Sequence, residues 1–130
     1  MPTTHRMSLL PHLVPLVDSG AKTLEIRVAD AKRRALQAGD LIEFTPADGT
    51  TGRALVQIVR ASVYTDFPAL LAAESPDRIH PELDAAQQLA LLRAIYPPER
   101  EALGAVAIEV TLVQPARPPV DRSAGRQTGR

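Results

Sequence analysis

The chain has 130 residues, 45% hydrophobic and 23% charged, a length and balance that suit one globular domain and exclude a disordered or fibrous chain. It has no cysteine and only 3% aromatics, which excludes disulfides, thiolate nucleophiles, zinc ribbons and iron–sulfur clusters and leaves no broad platform for stacking single-stranded bases. Its 15 basic and 15 acidic side chains cancel, which argues against coating nucleic acid through bulk charge.

In chain order, the start Met1-Pro2-Thr3-Thr4-His5-Arg6 has no signal-peptide pattern, and Arg6 to Leu10 reads as a first strand or a lead-in to one. From Pro11, the apolar residues Leu13, Val14, Leu16 and Val17 predict a short helix, with Gly20 placed to end it. Thr23 to Val28 alternates, with Leu24, Ile26 and Val28 on one face and Thr23, Glu25 and Arg27 on the other, which predicts a half-buried strand. Ala31 to Gln37 makes one or two helical turns before Gly39. Leu41 to Thr45 is a second strand, Asp48-Gly49 signals a hairpin, and Arg53 to Val63 is the longest strand, with Ala54, Val56 and Ile58 inward.

Asp66 and Pro68 open a helix over Phe67 to Glu74, which Ser75-Pro76 breaks. A longer helix covers roughly Leu83 to Ile95 and stops at Tyr96-Pro97-Pro98, followed by a short turn over Glu99 to Leu103. Ala105 to Val113 alternates as a closing strand. After Gln114 the chain carries four Arg against one Asp, which leaves 11 basic and 14 acidic residues before it. The expected organisation is one domain over residues 1–113 and a disordered basic tail over 114–130. No apolar stretch approaches the roughly 20 residues of a membrane helix, so a cytoplasmic protein without membrane contact or an obligate protein partner is expected. About five or six short strands with inserted helices predict an α+β fold, a small, mixed, mostly antiparallel barrel.

The richest chemistry lies at Ser19-Gly20-Ala21-Lys22-Thr23-Leu24-Glu25-Ile26-Arg27. A glycine turn delivers a lysine to the start of a strand whose polar face carries Glu25 and Arg27. A cation, a carboxylate and a fork-shaped donor on one edge can bind a phosphate and a base together, and Glu25 can equally pair with Lys22 or Arg27. The chain uses thirteen Arg and only two Lys, Lys22 and Lys32, so the lysine at the turn stands out as a specific choice. His5, His12 and His80 are too scattered for a metal set, and neither a metal nor a cofactor is expected. His80 reads as a solvent-exposed loop residue, and Phe67, Leu70 and Leu71 as core.

The ordered set Gly20-x-Lys22-Thr23-x-Glu25-x-Arg27, Asp30-x-Lys32-Arg33, Ala38-Gly39-Asp40-Leu41-Ile42-Glu43-Phe44, Tyr64-x-x-Phe67-x-x-Leu70-Leu71, Ile95-Tyr96-Pro97 and Gly104-x-Val106-Ala107-Ile108-Glu109-Val110 resembles the ASCH domain, a branch of the PUA-like superfamily. The resemblance spans about Met7 to Leu112. It implies a PUA-like barrel with a cleft that binds RNA or a nucleotide-like ligand.

Gly20, Lys22, Thr23, Glu25, Arg27 and Tyr64 would line that cleft, with Tyr64 or Tyr96 as a stacking surface. The alternative it implies is a hydrolase, either a ribonuclease or an amidohydrolase acting on acetylated cytidine. Small amidohydrolases of this kind use a lysine, a threonine and a glutamate. The lysine falls on Lys22, the threonine position is occupied by Glu25, and the glutamate falls near Glu74. In that reading Lys22 is the base, and Glu25 or Glu74 activates water.

Overall fold

The computed structural model describes residues 2–50 and 52–114. Where apolar residues alternate, strands form: β1 (Thr4–Leu9), β2 (Leu24–Val28), β3 (Leu41–Pro46), β4 (Ala54–Tyr64) and β5 (Ala105–Gln114). They make one sheet in the order β1-β3-β4-β5-β2. β1 runs parallel to β3, and the remaining pairs are antiparallel. The sheet curls into a half-barrel flanked by helices, an α+β PUA-like fold.

The helices begin and end where the local chemistry dictates. A short 3-10 turn at Pro11–Leu13 leads into α1 (Val14–Ser19), which Gly20 closes at φ 81°, a left-handed conformation that suits glycine. Asp30 caps α2 (Ala31–Arg34), and Asp66 caps α3 (Phe67–Ala73) by accepting from the Ala69 N–H at 2.8 Å. Ser75-Pro76, expected only to break a helix, instead starts the short α4 (Pro76–Ile79), since proline is well tolerated in a first turn. Asp84 and Gln87 form a capping box that opens α5 (Ala85–Ile95), and α6 (Pro98–Glu101) follows.

Each face of the sheet carries its own core. The inner face packs Met7, Leu9, Ile42, Phe44, Val56, Ile58, Val106 and Ile108 with Val14 and Val17 of α1. The outer face packs Leu24, Ile26, Val28, Ala105 and Ala107 against Phe67, Leu70, Leu71 and Ile79. Both faces of β2 are therefore covered, and its Glu25 is buried rather than solvated.

β4 changes face partway along. Ile58 pairs with Val110, but Arg60 pairs with Glu109, so Val59 is an extra residue that forms a bulge. Before it, Ala54, Val56 and Ile58 point to the inner core. After it, Arg60, Ser62 and Tyr64 share the face of Ala105, Ala107 and Glu109. Among the described residues no helix is long and apolar enough to cross a membrane. Gln114 pairs with Leu55 at the end of β5, and residues 115–130 of the predicted tail lie outside the described residues.

Candidate functional site

A cavity of about 360 Å³ opens between the end of β1, strand β2 and helix α5. Its walls are mostly apolar, with Leu9, Leu13, Ile26, Leu92, Ile95 and Tyr96 among them, and Lys22, Glu25 and Arg27 supply charge at one side. A largely apolar cavity with a few fixed polar groups is the usual form of a small-molecule site.

The Gly20 turn and β2 set those three charged side chains. The Lys22 N–H donates to the Leu16 carbonyl at 2.9 Å, which pins the backbone as it leaves α1. Its side chain is 4% exposed, and Nζ lies 2.6 Å from the Leu24 carbonyl, 3.0 Å from the Ile79 carbonyl and 3.0 Å from Glu25 Oε1. Arg27 Nε donates to Glu25 Oε2 at 2.7 Å, and Arg27 Nη2 donates to the Ser8 carbonyl at 2.6 Å. Glu25 is thus held from both sides. Burial pushes its carboxyl up, but Lys22 and Arg27 outweigh that and keep it below the ordinary carboxylate value, so it is charged.

The arrangement limits what each group can do. An ammonium has three N–H donors and no lone pair, and all three of those on Lys22 are engaged. Lys22 therefore fixes Glu25 and the β2–α4 junction, and in this state it is not a base. Each Glu25 oxygen accepts one charged donor and keeps acceptor capacity for a further partner. Arg27 keeps Nη1 without a protein acceptor among the described residues.

Three residues expected in the cleft belong elsewhere. Thr23 precedes β2, and its Oγ1 accepts from Arg78 Nε at 2.9 Å, off the face that carries Glu25. Arg78 Nη2 donates to Glu109, Arg60 Nε also donates to Glu109, and Arg60 donates twice to Glu74 at 2.7 and 2.9 Å. The Tyr64 hydroxyl completes this outer-face network by donating to Glu74. The Arg60 hydrogen bonds hold the Glu74 carboxyl down at about 2 against the opposing effect of burial, with Tyr64 adding to the pull. Neither Thr23, Tyr64 nor Glu74 lines the cavity. Gly20 makes the turn into Lys22 and also lies outside the lining.

Sequence reasoning missed His80 and Gln88, which do line the cavity. His80 was expected to be solvent-exposed, but it is buried, with Nδ1 accepting from the Glu82 N–H at 3.2 Å. Gln88 carried a readable signal: it sits at helical spacing with Leu91, Leu92 and Ile95, a polar residue on the apolar stripe of α5. The Lys32-Arg33-Arg34 run is largely absorbed by structure, Arg33 on Asp30 and Arg34 on the carbonyls of Ala29 and Leu103. Among the described residues no three His, Asp or Glu side chains converge as metal ligands.

A curled sheet with flanking helices and a cleft beside its second strand defines a small PUA-like domain. The chain belongs to the ASCH domain family, whose model matches residues 7–114. It is similar to the crystal structure of hypothetical protein PH0355, with a TM-score of 0.77 and 28% identity over 85% of this chain and 100% of that one. The solution structure of protein PF0455 from Pyrococcus furiosus is similar at TM-score 0.68 and 26% identity, covering 85% of this chain and 98% of the other. The ASCH protein of Zymomonas mobilis shares the fold at TM-score 0.67 and 17% identity, over 89% of this chain and 72% of that one. None of the curated proteins matches the chain.

Proposed function

We propose that this ASCH-domain protein binds RNA or a nucleotide-like ligand by taking one base into the cavity beside Glu25, and that it does not hydrolyse what it binds. The carrying observation is the Glu25 carboxylate, 7% exposed, fixed between Lys22 and Arg27 at the wall of an apolar cavity. A flat heterocycle suits apolar walls, and an exocyclic amine suits a charged acceptor that costs nothing further to orient. Tyr96 lines the same cavity and supplies an aromatic surface, while Arg27 Nη1 is available to a carbonyl or phosphate oxygen.

The hydrolase alternative needs a base and a nucleophile together. Lys22 has its three donors engaged, Thr23 is held by Arg78, and Glu74 is bound to Arg60 and Tyr64. Binding is therefore the better-supported reading. The test is a titration with the four ribonucleosides and a short single-stranded RNA, followed by amide chemical shifts. Movement at Ile26, Leu92 and Tyr96, with Arg60 and Tyr64 still, is the expected result, together with no release of cytidine from acetylated cytidine. Shifts absent throughout, or turnover of the acetylated nucleoside, would overturn it.

A further inference from the structure

Two neighbouring side chains on the cavity wall each carry an unused hydrogen-bonding atom. Gln88 is 3% exposed, and its Nε2 faces the carbonyls of Pro76 at 2.6 Å, Leu83 at 3.0 Å and His80 at 3.2 Å. Those carbonyls fix which end of the amide is nitrogen, because a flipped group would set oxygen against three oxygens. Its Oε1 is buried and has no donor among the described residues. Buried polar atoms are nearly always satisfied, and an unmade bond costs about 1–3 kcal/mol.

His80 completes the pair. Its Nδ1 accepts from the Glu82 N–H, so the neutral ring carries its proton on Nε2. No protein acceptor among the described residues meets that nitrogen. Both residues line the same cavity as Glu25. Lys22 ties the two regions together by donating to Glu25 and to the carbonyl of Ile79, the residue before His80.

Resting on the reading that the cavity takes a base, we infer that His80 and Gln88 are its specificity-determining residues and select an amino-bearing nucleobase. The wall offers open acceptors on Gln88 and Glu25 and a donor on His80. An exocyclic amino group supplies N–H donors to the acceptors, and the adjacent ring nitrogen accepts from His80 Nε2. Adenine and cytosine present that edge, whereas uracil presents a carbonyl where the amine would be. The same acceptors keep a phosphate out of the cavity, because an anion would meet Glu25 directly.

Any change at Gln88 also removes three structural hydrogen bonds and can simply unfold the α4–α5 junction, so the experiment works on His80 and on the ligand. His80→Asn keeps an oxygen for the Glu82 N–H and removes the Nε2 donor. Calorimetric titrations would compare adenosine and cytidine with purine riboside and pyrimidin-2-one riboside, which lack only the amino group. The expected result is that loss of the amine weakens binding to the wild type by roughly tenfold or more. His80→Asn weakens binding of adenosine and cytidine by a similar factor while its melting temperature stays at the wild-type value.

Equal affinity for amino and amino-free ribosides, or a His80→Asn protein that binds as the wild type does, would overturn this assignment and leave base binding in the cavity standing. Absence of binding by all four ribosides would overturn the cavity reading itself, and this assignment with it.

Discussion

The Tyr64 hydroxyl donates to Glu74 Oε2 at 2.6 Å, on the outer face of the sheet. That bond binds together two residues whose sequence context suggests a place in the cleft. It also marks the division of the molecule's buried charge into two sets: Lys22, Glu25 and Arg27 at the cavity, and Arg60, Glu74, Arg78 and Glu109 outside it.

The outer set predicts a particular response to acid. The Glu74 carboxyl is lowered from 4.5 to about 2 in the folded protein, chiefly by the Arg60 hydrogen bonds. A depressed folded-state value means that its stabilisation is fully present above the unfolded value and is lost as pH falls through the folded one. Glu74→Gln should therefore lower stability at neutral pH, by about 1–3 kcal/mol for a broken charged network. The gap to the wild type should close as pH falls from about 4.5 towards 2. Urea unfolding of both proteins across that range checks it; a gap that stays constant with pH would contradict it.

Lys22 predicts a stability cost of a different kind. Lys22→Met leaves two carbonyls without a donor and Glu25 with Arg27 as its remaining cation. Removing one partner of a buried ion pair costs about 3–5 kcal/mol, and the surviving Arg27 contact places the expected loss near the lower end. Denaturant unfolding measures it. A loss below ~1 kcal/mol would show that Lys22 is not the clamp described here.

Much of this was legible in the sequence, because alternation and capping are local. Leu24-Glu25-Ile26-Arg27-Val28 reads directly as a strand, and Asp66-Phe67-Pro68 as a capped helix start. The grouping of Lys22, Glu25 and Arg27 followed from spacing on one strand. What escaped was a matter of one residue in register. The bulge at Val59 turns Arg60, Ser62 and Tyr64 to the opposite face from the one strict alternation would give. Thr23 left the expected face because β2 begins at Leu24. His80 and Gln88 meet Glu25 only through tertiary packing of α4 and α5, which spacing cannot show.

Gly104 predicts a backbone effect without any part in the site. It sits at φ 101°, and a Cβ there would lie 3.0 Å from the Tyr64 carbonyl oxygen. Gly104→Ala is therefore both strained and crowded, with an expected cost of about 1–3 kcal/mol. A thermal melt checks it, and an unchanged or raised midpoint would contradict it.

The central claim is that the ligand meets Glu25 in the cavity and not Glu74 on the outer face. Its most direct test is calorimetric titration of cytidine into the wild type, Glu25→Gln and Glu74→Gln, under conditions where all three are folded. Glu25→Gln should lose at least about tenfold in affinity, the worth of a hydrogen bond to a charged acceptor, while Glu74→Gln should bind as the wild type does. Loss of binding in Glu74→Gln with Glu25→Gln unaffected would contradict the account.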